Sequence, residues 1–303
     1  MLEVHRGLLQ DEIRTNAFRE AIRRCVKPGD VVLDLGTGSG ILAFFACEAG
    51  ARRVFAIDGT HSADLASFLT RHLGLADRIQ VFHERSTSVE LPELADVLIT
   101  ETIGPFGFDE HILSSVIDAR ARLIKPDAII VPNRLDLYLV PVDDSSIFDE
   151  RVKWWNTTPY GLDLSGLAIF ASNILFVGDV GCDSFLAPPA LVIAADLTTI
   201  TSANVSGRAH FTTARAGLLH GFAGWFRATL APGIELSNET PGTSWQHVFL
   251  PLQSPIAVEA ATPIDVELES NDGLMWRWKG TIGDVAFDQM TALASPPCYR
   301  GAL

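Results

Sequence analysis

The chain has 303 residues, a formal net charge of −14, and 48% apolar against 20% charged residues. That length favours two domains, each able to bury its own core, while the acidity opposes binding to a phosphate backbone and favours cationic partners, so no nucleic-acid partner is expected. No apolar run reaches the roughly 18 residues of a membrane span, so no membrane anchor is expected, and four scattered cysteines, Cys25, Cys47, Cys182 and Cys298, read as free, largely buried thiols, with no zinc or disulfide framework.

The opening stretch Met1-Leu2-Glu3-Val4-His5 lacks the basic flank and apolar core of a secretory signal, so the cytoplasm is the expected location. From Asp11 to Val26, Ile13, Ala17, Phe18, Ala21, Ile22 and Cys25 recur at helical spacing, and Lys27-Pro28-Gly29-Asp30 ends that helix. Short apolar runs then alternate with helical stretches. Strands are predicted at 31–35, 53–57, 79–82, 95–100 and 128–131, and helices at 41–49, 62–73 and 111–123. This alternation implies a doubly wound, mostly parallel α/β sheet in residues 1–132. After Pro132-Asn133-Arg134 the pattern becomes period two, as in 135–140, 190–195 and 264–268, divided by Gly, Pro and Asn turns. Residues 133–303 therefore read as a mostly antiparallel, β-barrel-like domain, with 148–167, which carries Trp154-Trp155 and Tyr160, as a helical arm.

Asp34-Leu35-Gly36-Thr37-Gly38-Ser39-Gly40 lies where the first strand turns into a helix, and glycines there let the backbone approach a ligand closely. Its spacing is G-x-G-x-G. A dinucleotide site prefers G-x-G-x-x-G, which weakens a nicotinamide-cofactor reading. Asp58 ends the second strand, where an acid can accept both hydroxyls of a ribose. Glu101 stands at the carboxyl end of the fourth strand, where open α/β sheets bind ligands, and Gly104, Pro105 and Gly107 can fold it towards Glu110. The competing readings are a plain tight turn, a solvated Asp58, and a Glu110 that merely favours a helix N-terminus.

Val32 to Ala43, followed by A-G-A-R-R-V-F-A-I-D, resembles the protein arginine methyltransferase family, and so does His5 to Thr15, which is similar to that family's I-H-x-x-M-L-x-D-x-x-R-T helix. The resemblance implies S-adenosylmethionine as cofactor, held by Arg14 at its carboxylate, by Asp34, Gly36, Thr37, Gly38 and Gly40 of the loop, and by Asp58. It also implies Glu101 and Glu110 as the catalytic pair, because Thr100 to Glu110 resembles the family's loop S-E-W-M-G-Y-x-x-x-x-E. Two carboxylates there accept the N–H groups of a guanidinium and orient one nitrogen towards the methyl group. Trp154-Trp155 and Tyr160-Gly161-Leu162-Asp163 resemble the family's dimerisation arm, which implies a homodimer.

The substrate pocket diverges from the family's. Thr102 and Pro105 replace aromatic residues of the loop, and Thr243-Ser244-Trp245 resembles T-H-W with serine for the histidine that would pair with Asp11. His247 is an alternative member of that proton relay. Ser86-Thr87-Ser88 matches V-E-E, so Thr87, or Glu84 nearby, is expected to replace an acidic acceptor for the adenine amino group. The family's Y-F-x-x-Y segment has no match before His5, so the cofactor lid is expected to be absent or to come from another segment. Methylation of another nitrogen or oxygen nucleophile on a small molecule, and a cofactor-binding non-catalytic partner, stand as alternatives to a protein arginine acceptor.

Overall fold

The computed structural model describes residues 2–291. The first helices are α1, Leu2–Gln10, and α2, Glu12–Cys25. The expected helix after Asp11 is present, but His5 to Thr15 is not one continuous helix. Asp11 leaves helical geometry at φ −73° and ψ 86°, and its carboxylate caps α2 by accepting the Arg14 N–H at 2.9 Å. An aspartate at this position satisfies one of the first-turn amides that have no partner inside a helix. Arg14, Phe18, Ala21, Ile22 and Cys25 then fall on the buried face of α2.

The chain continues through β1 (Val31–Leu35), α3 (Ile41–Glu48), β2 (Arg53–Ile57), α4 (Ser62–His72), β3 (Ile79–Phe82), β4 (Ala95–Thr100), α5 (Ile112–Arg122) and β5 (Ile124–Val131). The five strands pair in parallel in the order β3-β2-β1-β4-β5. Strand order reverses between β1 and β4, and the crevice at the carboxyl ends of those two strands is where such sheets bind ligands. All of β1 is buried, the pattern of a strand covered on both faces.

The second half holds β6 (Arg134–Val142), α6 (Ser145–Arg151), α7 (Ala168–Ala171), β7 (Phe176–Val177), β8 (Ala190–Asp196), β9 (Asn204–Thr212), β10 (Gly217–Ala231), β11 (Ile234–Ser237), β12 (Val248–Val258), β13 (Pro263–Asn271), β14 (Met275–Ile282) and β15 (Val285–Met290). One antiparallel sheet runs β7-β12-β10-β6-β8, with β11 beside β10, and the other runs β15-β14-β13-β9. The two meet through buried aromatics: Trp278 Nε1 donates to Pro251 O at 2.8 Å, and the Phe222 and Phe287 rings lie 5.5 Å apart. The predicted fold class is thus observed. Strand β13 alternates between buried and exposed positions and is legible in the sequence, whereas β10 is buried along most of both faces and shows no alternation.

Within 148–167, Phe148 and Val152 pack with Val140, Val142, Trp225 and Phe249, so the base of the expected arm belongs to the β core. Trp154, Tyr160, Leu162 and Leu167 are exposed beyond it. Cys25 and Cys47 are buried free thiols, but Cys182 is exposed, correcting the expectation for that residue, and Cys298 lies outside the described residues. No helix among the described residues is long and apolar enough to cross a membrane.

Asp11 also links the halves, since its other oxygen accepts the Ser244 N–H at 2.5 Å. Asp11→Ala is expected to lower the unfolding free energy by about 1–2 kcal/mol through the lost cap and this second bond. Urea denaturation measures it; an unchanged midpoint and slope would show that the cap contributes nothing.

Candidate functional site

A cavity of about 630 Å³ opens at the carboxyl ends of β1, β2 and β4. Its size falls in the range of small-molecule sites. Gly36, Thr37, Gly38, Asp58, Thr87, Arg14, Glu101 and Glu110 all line it. Two expected residues do not. Asp34 sits behind the loop, where one oxygen accepts from Thr37 Oγ1 at 2.5 Å and from the Ala43 N–H at 3.0 Å, so it shapes the turn. Burial pushes its carboxyl up to about 7, against those two bonds. Gly40 precedes α3 in left-handed geometry, with φ 87°.

The turn requires glycine at position 36. Its φ is +76°, and a Cβ there would collide with the Thr102 Cγ2 methyl. Asp58 is 9% exposed. It accepts from the Gly38 N–H at 2.9 Å through one oxygen and from the Thr60 amide and hydroxyl, at 2.8 Å and 2.6 Å, through the other. Three of the roughly four lone-pair sites of the carboxylate are thus filled and the one left is on Oδ2, so the acid is oriented by the chain and can still receive a ligand hydroxyl. Thr87 lies on a short 3₁₀ turn, Ser86–Ser88, anchored by Arg122, whose Nη2 donates to Ser86 O at 2.9 Å. Glu84 is exposed and is not among the lining residues, so Ser86 and Thr87, not Glu84, are the side chains available at that end.

At the other end Arg14, 5% exposed, pairs with Glu101 and donates from Nη2 to Leu8 O at 2.8 Å. Its Nε is buried with no protein partner. The Arg14 side chain lines the cavity, and its positive charge suits a ligand carboxylate there. Burial pushes the Glu101 carboxyl up to about 8; Arg14 pulls it down and Glu110 adds to the rise. Burial likewise raises Glu110, helped by Asp109. Two carboxyls in one partly dry cavity destabilise each other as anions, and a cation between them relieves both.

Three further contacts seat the loop that carries both glutamates. Trp245 Nε1 donates to Ile103 O at 2.8 Å, Asn238 Nδ2 to Pro105 O at 3.0 Å, and Trp276 Nε1 to Asp109 Oδ1 at 2.9 Å. All three donors come from the antiparallel half. Asn238 and Trp276 were not singled out in the sequence, because distance in the chain hides such pairings. The signal for Asp109 was its place beside Glu110.

Helix α1 lines one side of the cavity. His5 and Leu8 line the cavity, and the His5 Nε2 is 2.9 Å from Ser62 Oγ. His5, Ser62, Arg85 and Trp245 complete the cavity without having been assigned a role there; His5 and Trp245 stood inside the quoted motifs, the one usable signal. His247 does not join a relay with Asp11. It is 5% exposed, its Nδ1 accepts from the Val180 N–H at 3.2 Å, and its Nε2 lies 3.0 Å from Glu239 O, the bonding of a structural histidine. Where the resemblance implied a histidine partner for Asp11, the Ser244 backbone N–H takes the place.

Residues 133–277 match the family model of the arginine methyltransferase oligomerization subdomain, and residues 15–131 that of ribosomal protein L11 methyltransferase. The chain is 33% identical over 290 residues to protein arginine N-methyltransferase 6 of Xenopus laevis, covering 89% of this chain and 85% of that protein. It is 34% identical over 251 residues to probable protein arginine N-methyltransferase 6 of Arabidopsis thaliana, covering 80% of this chain and 58% of that one. Among solved structures, an open conformation of protein arginine methyltransferase 10 from Arabidopsis thaliana superposes with a TM-score of 0.79 at 26% identity, covering 96% and 97% of the two chains. The Trypanosoma brucei PRMT1 enzyme–prozyme heterotetrameric complex with AdoHcy reaches 0.87 at 24% identity, covering 96% and 98%, a likeness of fold. With a third of its residues identical along most of the Xenopus protein, the chain belongs to the protein arginine methyltransferase family.

Proposed function

We propose that this protein transfers a methyl group from S-adenosylmethionine to a guanidinium nitrogen of arginine in a protein substrate. The observation that carries the reading is the meeting in one cavity of Asp58, Arg14 and the two glutamates, Glu101 and Glu110. When bound, S-adenosylmethionine would supply an electrophilic methyl group on a sulfonium sulfur, which keeps the electron pair of the broken S–C bond and leaves as the neutral thioether S-adenosylhomocysteine. Asp58 would accept a ribose hydroxyl at Oδ2, Gly36, Thr37 and Gly38 would let the donor lie close to the backbone, Thr87 would serve the adenine edge, and the positive charge of Arg14 would face the carboxylate. Asp34 and Gly40 support that loop from behind.

Glu101 and Glu110 then accept the N–H groups of the guanidinium, holding one nitrogen towards the methyl carbon for in-line displacement with no covalent intermediate on the protein. As the N–C bond forms, the nitrogen gives up a proton. Glu110, exposed at the mouth, passes it to water. Arg14 turns the Glu101 carboxylate, so one guanidinium of the chain orients the group that receives the guanidinium of the substrate.

The reading includes a division at residues 132 and 133, supported by the change from parallel to antiparallel strands and by the extents of the two matching family models. It also includes a homodimer, supported by the oligomerization-subdomain match and by the exposed apolar tip of the arm at Trp154, Tyr160 and Leu162. A cytoplasmic location suits the free thiols of Cys25, Cys47 and Cys182.

S-adenosylhomocysteine is expected to raise the melting temperature, NAD to leave it unchanged, and Asp58→Ala to weaken the S-adenosylhomocysteine shift. Equal shifts in variant and wild type would remove Asp58 from the site. In a methyl-transfer assay with labelled donor and an arginine peptide, Glu101→Gln is expected to lose about a hundredfold or more in turnover while keeping donor affinity, with Glu110→Gln losing as much or less. Near-wild-type turnover by Glu101→Gln would leave the arginine reading without its central residue. Light scattering at micromolar concentration is expected to report a dimer, and Tyr160→Asp a monomer; a monomeric wild type would rule out the arm as an interface.

A further inference from the structure

We propose that Asp109 is a positioning residue for Glu110, held in its working place by Trp276 across the boundary between the parallel and antiparallel halves. The inference rests on the reading of Glu101 and Glu110 as the acceptor-binding pair. Asp109 is not among the residues that line the cavity, whereas its neighbour Glu110 is. Both of its oxygens are engaged inside the protein: Oδ2 accepts the Phe106 N–H at 2.6 Å, and Oδ1 accepts Trp276 Nε1 at 2.9 Å. The first bond closes the loop on itself, and the second ties the closed loop to β14.

Packing reinforces the tie. Trp276 is 3% exposed, and its ring lies 4.7 Å from Phe106 and 6.1 Å from Phe108, nearly parallel to the latter at 7°. Gly104 presses its Cα against Asp109 so closely that a Cβ there would collide with the Asp109 Cβ. The same hairpin of β13 and β14 supplies Asp272, whose Oδ1 accepts the Ser114 N–H at 3.2 Å near the start of α5. The loop is therefore fastened just before Glu110 by Asp109 and just after it by Asp272. Consecutive Cα atoms are about 3.8 Å apart, so fixing Asp109 leaves the Glu110 backbone little freedom.

The pairing has chemical specificity. An indole N–H only donates and a carboxylate only accepts, so phenylalanine at 276 would keep most of the packing and leave Asp109 Oδ1 without its partner. The Asp109 charge also acts on Glu110 directly, raising its affinity for a proton. A residue that served only stability would not couple to acceptor turnover through Asp109.

The test is a double-mutant cycle of Trp276→Phe and Asp109→Ala, read as kcat and KM for methyl transfer to an arginine peptide together with the affinity for S-adenosylhomocysteine. Trp276→Phe is expected to lower kcat/KM about tenfold, the loss typical of a hydrogen bond to a charged group, with S-adenosylhomocysteine affinity within about twofold of wild type. In the Asp109→Ala background the same change is expected to cost nothing more. If Asp109→Ala gives no folded protein, Asp109→Asn replaces it, and Trp276→Phe then costs less than beside the charged aspartate. Wild-type kcat/KM for Trp276→Phe, or losses that add in full, overturns the proposal. Glu110→Gln in the same assay tells the two failures apart. A slow Glu110→Gln beside a normal Trp276→Phe removes only the positioning role, whereas a normal Glu110→Gln removes the parent reading and this inference with it.

Discussion

The capture of one loop by the opposite half of the chain is the constraint on which the site depends. Residues 102–111 leave the parallel sheet at the end of β4, yet the donors that fix them, Trp245, Asn238 and Trp276, all come from the antiparallel half. A loop rich in glycine and proline has many conformations available, and ordering it costs about 1–2 kcal/mol of backbone entropy per residue. Hydrogen bonds to two of its carbonyls and to the Asp109 carboxylate, with Phe106 and Phe108 sunk into the shared core, offset that cost and hold two acids in a place they would otherwise avoid. The antiparallel half thus fixes the loop that carries Glu101 and Glu110 without lining most of the cavity.

Arg14 solves the opposite problem at the neighbouring wall. A nearly buried guanidinium is costly without partners, and Glu101 and the Leu8 carbonyl provide them, while Nε stays buried without one. Because Leu8 lies in the last turn of α1 and Asp11 caps α2 at the Arg14 N–H, α1, α2 and Glu101 meet at the Arg14 side chain. Trp245 closes the arrangement, with the Arg14 guanidinium 5.8 Å from its ring centroid while its Nε1 holds Ile103 O.

The divergence from the family pattern has a local physical account. Serine at 244 cannot offer an imidazole to Asp11, and the backbone amide takes over the contact, so the structural link between the halves survives while the titratable partner is gone. The titratable groups that remain at this wall of the cavity include the carboxyls of Glu101 and Glu110, of which Glu110 is exposed. At the nucleoside end, hydroxyls of Ser86 and Thr87 stand where the family pattern has acids, and Arg122 holds their turn in shape.

The sequence by itself determined four of the five parallel strands to the residue, while β5 begins at Ile124, four residues before the predicted 128–131. Strands 31–35, 53–57, 79–82 and 95–100 were readable because each is a short apolar run bounded by glycine, proline or charge, and the glycine loop with Asp58 marked the ligand crevice at the point where strand order reverses. Local pattern also carried Glu101 and Glu110, whose spacing survives in the chain. It could not show that Asp34 and Gly40 stand behind the loop, that Glu84 and His247 face elsewhere, or that Phe148 is core while Tyr160 is fully exposed, since burial is a property of neighbours distant in sequence. Strand β10 lacked a period because both its faces are covered. Asn238 with Pro105, and Trp276 with Asp109, are separated by 133 and 167 residues. Only closure of the two halves onto one core brings them within hydrogen-bonding distance, and that closure depends on the packing of side chains from both halves, which no local pattern records.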